Sequence, residues 1–193
     1  MIDRRVRRAT ARLAVAYAVA WPLAAGAAEI EGVTFAERGV EAGDTELALC
    51  STALFRYRIF IKAYVGALYL PAGARGRSAL DDVPKRLELH YFYKIAGDGF
   101  GKAADQLLTD NFGAETLAPM RERIDRLHSL YRDVVPGDRY ALTYTPGVGT
   151  ELRHNDEVLG TIEGADFARA YFSIWLGREP LNASFRDQLL DGC

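Results

Sequence analysis

Past residue 27, the longest apolar run extends from Leu47 to Leu70 and is broken only by Arg56, Arg58 and Lys62 near its middle. A membrane helix is a poor reading, because each cation at the bilayer centre would cost roughly 2.5 to 3.5 kcal/mol. The richness in Ile, Val, Phe and Tyr favours strand, and one unbroken strand would reach roughly 80 Å at about 3.3 Å per residue, several times the usual length. The run therefore predicts two strands with a break at Arg56-Tyr57-Arg58. In the second, from Ile59 onward, Ile59, Ile61, Ala63, Val65, Ala67 and Tyr69 share one face, while Phe60, Lys62, Tyr64, Gly66, Leu68 and Leu70 share the other. Both faces are largely apolar, which predicts a central strand covered on both sides.

The flanking pattern supplies the remaining elements. Residues 29–40 alternate weakly around Val33 and Phe35 and read as a first strand, with turns at Gly39 and Gly43-Asp44. Residues 71–77 form a glycine-containing loop, and 78–83 a short helical turn that Pro84 ends. Residues 85–94 alternate, with Leu87, Leu89, Tyr91 and Tyr93 opposite Arg86, Glu88, His90, Phe92 and Lys94, as in a half-exposed strand with His90 at its surface or rim. Two helical stripes follow, one through Phe100, Ala104, Leu108 and Phe112, the next through Leu117, Ile124, Leu127 and Tyr131. Strands are predicted over 139–145, 151–154 and 158–163, the last two joined by an Asn155-Asp156 turn. Residues 164–176 then form a helix with Phe167, Tyr171, Ile174 and Trp175 on one side, read as core packing, and a final helix carries Phe185, Leu189 and Leu190. Strands in hairpins and helices in blocks define an α+β class, a large and mainly antiparallel sheet with helices layered on one face.

Composition changes the picture at the N-terminus. Arg4, Arg5, Arg7, Arg8 and Arg12 precede an apolar stretch from Leu13 to Leu23 and small residues at Ala25-Gly26-Ala27, the pattern of a secretory leader over residues 1–27. The apolar core falls short of the ~20 residues needed to span a bilayer. The surroundings of the arginine pairs do not match a twin-arginine signal, which leaves general secretion and a periplasmic or secreted location. Residues 28–193 then form one domain, with no transmembrane segment once the leader is gone. Of the 24 basic and 26 acidic residues, the domain keeps 19 and 25, a net charge of −6. An acidic exported domain is a poor nucleic-acid partner, because such affinity comes mainly from cations on phosphates.

Few motifs suggest chemistry. Gly97-Asp98-Gly99-Phe100-Gly101-Lys102 has neither the third glycine of a dinucleotide loop nor the Ser or Thr of a phosphate loop, and reads as a turn opening a helix. No serine sits in a G-x-S-x-G elbow. Two cysteines and three scattered histidines do not make a zinc site, and no cofactor is implied. Cys50 and Cys193 are compatible with a disulfide in an oxidising compartment, and equally with a buried thiol and a terminal one. Arg56 is the informative charge. A cation beside a central strand needs either a neighbouring carboxylate or a ligand's carboxylate as partner. With Tyr64 donating a hydroxyl to the same anion, an apolar cavity would suit a fatty acid, whose tail contributes about 0.8 kcal/mol per buried methylene.

At these residues the chain resembles a bacterial member of the chalcone isomerase-like family over nearly all of the domain. The markers are Arg56 leading into Lys62-Ala63-Tyr64 and Ala67-Leu68-Tyr69-Leu70-Pro71, then Gly137-Asp138, then Gly160-Thr161-Ile162-Glu163-Gly164-Ala165-Asp166-Phe167, and Ile174-Trp175-Leu176-Gly177-Arg178-Glu179-Pro180. The resemblance implies a large antiparallel sheet with helices on one face around a ligand cleft. It also implies two functional branches, plant enzymes that cyclise chalcones and non-enzymatic binders of fatty acids. The arginine common to both resembles Arg56. Tyr64 resembles the fatty-acid binders, since the enzymes carry threonine there, and the enzymes' tyrosine and asparagine pair has no counterpart, because no tyrosine occurs between Tyr93 and Tyr131.

The combined expectation is an exported, non-catalytic binding protein for a fatty acid or similar amphipathic carboxylate held by Arg56 and Tyr64. An isomerase using Arg56 to stabilise an enolate is the enzymatic alternative. A structural or partner-binding module with a filled core is the third. Oligomeric state is not legible in the sequence.

Overall fold

The structure, a computed structural model, describes residues 26–58 and 60–193, apart from the side chain of Arg77. All but the last two residues of the leader expected over 1–27 lie outside that range. Seven strands form one sheet: β3 (Val40–Ala42), β4 (Thr45–Tyr57), β5 (Ile61–Pro71), β6 (Lys85–Tyr91), β7 (Arg139–Thr145), β8 (Gly149–His154) and β9 (Glu157–Ile162). Each pairs antiparallel with its neighbour in sequence, so the sheet is a meander. The long apolar run does divide into two strands at the expected break, where Arg58 turns the chain with φ +43°.

A block of helices interrupts the meander between β6 and β7, namely α1 (Gly97–Phe112), the single turn α2 (Ala114–Leu117) and α3 (Arg121–Leu130). Pro119, in a short 3-10 turn, separates the last two. The Gly97-Lys102 stretch begins α1, anchored by Asp133, whose carboxylate accepts from the Gly97 amide at 3.0 Å. After β9 come α4 (Ala165–Leu176) and α5 (Ala183–Asp191). Asn182 caps α5 by accepting from the Phe185 amide at 2.8 Å, satisfying one of the donors that a helix start leaves free.

The helices cover one face of the sheet with the larger core, which includes Leu68, Leu87, Leu142, Ile124, Phe167 and Phe172. The other face carries a smaller core built around Val65, Ala67 and Tyr69 of β5. It is closed by a separate hairpin, β1 (Ala27–Ile30) and β2 (Val33–Ala36), through Val33 and Phe35. Two expectations are corrected here. The segment 29–40, read as one strand, is a hairpin that turns at Glu31 and Gly32, both with positive φ, followed by a separate β3. The strand over 85–94 ends at Tyr91 and is not half exposed, because the hairpin shields its charged face. There, Arg139 bonds the Thr34 carbonyl at 3.0 Å and lies over the Phe35 ring.

Cys50 and Cys193 are joined in a disulfide that ties the end of α5 to β4. Cys50 is the extra residue at a register shift between Leu49 and Ser51. Closing so long a loop stabilises a fold by up to about 5 kcal/mol in the chain-entropy account. Among the described residues, no helix is long and apolar enough to cross a membrane.

Candidate functional site

Between the sheet and the helices lies a cavity of about 310 Å³. Its sheet wall is formed by Phe55, Ala63, Tyr64 and Tyr91, and its helical wall by Phe100, Ala103, Ile174 and Trp175. Tyr57, Ile61, Tyr93 and Leu181 also line it and are among the most exposed large apolar side chains of the described residues, which places the mouth at the β4–β5 turn. Among the described residues, none that lines the cavity carries a charge.

Local chain geometry decides which side chains reach this space. Phe55 pairs with Tyr64, but the next residue, Arg56, pairs with Lys62, so Ala63 is an extra residue in β5. Such a bulge reverses the alternation on one side of itself. Beyond it Tyr64, Leu68 and Leu70 face the helices; before it Ile61 lines the cavity and Lys62 points the other way, to Glu31 on the hairpin turn.

The two residues that the sequence paired lie apart, because Arg56 follows Phe55, which pairs with Tyr64, and so takes the opposite face of β4. Tyr64 lines the cavity and is 5 % exposed. Arg56 does not line it. Its side chain is 45 % exposed, lies 3.6 Å from the Glu31 carboxylate, and shares that carboxylate with Lys62. Its other surroundings include Leu54 and the Asn182, Ser184 and Gln188 side of α5. Strict alternation would have brought Lys62 and Tyr64 to one face, and the bulge at Ala63 is the physical reason it does not.

The Tyr64 ring is fixed on three sides, stacked on Phe55 at 4.7 Å, with Phe185 at 5.3 Å and Tyr91 at 5.5 Å. Its hydroxyl, although buried, has no hydrogen-bond partner, and neither has the indole N–H of Trp175. Burial pushes the Tyr64 phenol well above its ordinary pKa, and the nearby Trp175 N–H offsets part of that rise without reaching hydrogen-bonding geometry. Deeper in the wall, Tyr171 donates to Tyr131 at 3.2 Å, and burial raises the pKa of both phenols. The cavity is thus apolar, neutral at physiological pH, and furnished with uncharged donors. Sequence reasoning placed Trp175 and Tyr171 in the core, which is where they sit; that their polar ends border a space was not visible, because packing stripes and cavity walls have the same periodicity.

The chain belongs to the chalcone isomerase-like family, which it matches over residues 27–191. Among solved structures it is similar to a fatty-acid binding protein of Arabidopsis thaliana, with a TM-score of 0.65 and 15 % identity, covering 86 % of this chain and 96 % of that one. At that identity the likeness speaks to the fold: the α+β class and the antiparallel sheet with helices on one face are as expected. No curated protein matches the sequence.

Proposed function

We propose that the protein is an exported binding protein that takes up the acyl chain of a fatty acid or similar amphiphile without turning it over. The observation that carries this reading is the uncharged, largely aromatic and aliphatic cavity that opens at Tyr57, Ile61, Tyr93 and Leu181. Its size lies at the lower end of the roughly 300 to 1,000 Å³ usual for small-molecule sites, which suits a short or medium chain. A solved protein of the same fold is described as a fatty-acid binding protein, which supports the ligand class. Export is supported by the leader pattern over residues 1–27 and by the Cys50–Cys193 disulfide, a bond that persists in oxidising compartments. The isomerase alternative relied on Arg56 beside the reacting group, and that side chain borders a different surface. The reading as a filled structural module does not account for the cavity.

The test is calorimetric titration of delipidated protein with straight-chain fatty acids and their methyl esters of increasing length. Each added methylene should tighten binding about fourfold until the cavity is full. Ala103→Phe, which adds bulk at an exposed helical position in the wall, should move the plateau to shorter chains. Absence of saturable binding at every length would overturn the proposal.

A further inference from the structure

The cavity joins two features that bear on the head of its ligand. No charged side chain lines it among the described residues. Yet two buried donors, the Tyr64 hydroxyl and the Trp175 indole N–H, are left without partners. Unpartnered buried polar groups cost about 1 to 3 kcal/mol each, so two in one wall call for an acceptor supplied from outside. The Tyr64 hydroxyl does not find one by moving, because Phe55, Phe185 and Tyr91 hold its ring.

A carboxylate is a poor choice for that acceptor. Desolvating an anion with no facing cation costs several kcal/mol, comparable to the whole contribution of an eight-carbon tail at about 0.8 kcal/mol per methylene. The cation expected from the sequence lies across the bulge, engaged with Glu31. A neutral carbonyl or carboxyl oxygen takes the same two hydrogen bonds without that cost.

Resting on the acyl-binding reading above, we propose that the ligand binds with an uncharged head, an ester, a ketone or a protonated acid, whose oxygen accepts from Tyr64 and Trp175. Arg56 has no part in holding it.

The experiment compares octanoic acid, methyl octanoate and 1-chlorooctane, matched in chain but not in head, by calorimetry at pH 6, 7 and 8. Methyl octanoate should bind equally at all three values. Octanoic acid, whose neutral fraction falls tenfold per unit above an ordinary carboxyl pKa of about 4 to 5, should weaken about tenfold at each step. Tyr64→Phe, nearly isosteric, should weaken the ester roughly three- to tenfold and leave chlorooctane unchanged, which also reports that the variant's cavity is intact. Octanoate binding equally at pH 6 and 8, or an ester indifferent to Tyr64→Phe, would overturn the head assignment while leaving acyl binding standing. Failure of both ester and chlorooctane to bind would remove the acyl reading and this inference with it.

Discussion

On the hairpin side of the sheet, Glu88 is nearly buried yet accepts from Arg86 at 3.0 Å and from Arg139, which in turn reaches the Thr34 carbonyl. On the helix side, Tyr64 and Trp175 are as deeply buried and neither polar end is hydrogen-bonded. In the first arrangement the buried carboxylate is matched within the chain and needs no guest. The second is complete only when something else enters. Buried polarity is therefore informative by how it is partnered: a closed ion network marks a structural joint, and unclaimed donors beside a cavity mark a binding site.

The contrast breaks most readily at Glu88. Glu88→Ala leaves Arg86 and Arg139 facing one another without their carboxylate, and removing one partner of a buried ion network costs about 3 to 5 kcal/mol. Thermal and denaturant unfolding should show that loss, while chain-length-dependent acyl binding at low temperature should be retained. Loss of binding in a folded variant would mean that the two faces are coupled. Arg56→Ala, at the exposed end of the same face, should cost under about 1 kcal/mol.

An effect smaller than that of Glu88→Ala sharpens the comparison from the helix side. Lys85 lies between the Tyr144 and Phe172 rings, donates to the Asp81 carbonyl at 2.7 Å, and is 1 % exposed. Burial pushes its pKa down to about 8, with Asp82 and Asp81 offsetting part of the fall. The unfolded chain, with a lysine near 10.4, then binds this proton more tightly than the folded one. Stability should accordingly rise with pH above about 8 through this group. Measured against Lys85→Met, wild type should gain about 1 to 2 kcal/mol between pH 8 and 9.5. A flat difference would show that Lys85 keeps its proton in the fold.

Much of this architecture was legible in the chain. β7 falls on the boundaries that alternation sets, and Asn155, with φ +51°, turns the β8–β9 hairpin as its type suggests. The bulge at Ala63 was hidden for a definite reason. A strand apolar on both faces carries no alternation to fix its register, so one inserted residue leaves no trace in the pattern. The β1–β2 hairpin escaped because its turn uses Glu31, a residue that rarely adopts positive φ, ahead of Gly32. Of the two expected site residues, Tyr64 lines the cavity, whereas Arg56, next to the Phe55 that pairs with Tyr64, takes the opposite face of β4, and a charge at a strand end carries no mark in the sequence of which face it takes.

The central claim, that a chain enters beside Trp175, is tested most directly by fluorescence. Trp21 lies in the proposed leader, so Trp175 is the only tryptophan of residues 28–193, and an acyl chain brominated along its length quenches an indole only on contact. Titrating a brominated octanoate ester should give saturable quenching at stoichiometric ligand, relieved by unbrominated methyl octanoate. Quenching no greater than that of free tryptophan at the same concentration would contradict the account.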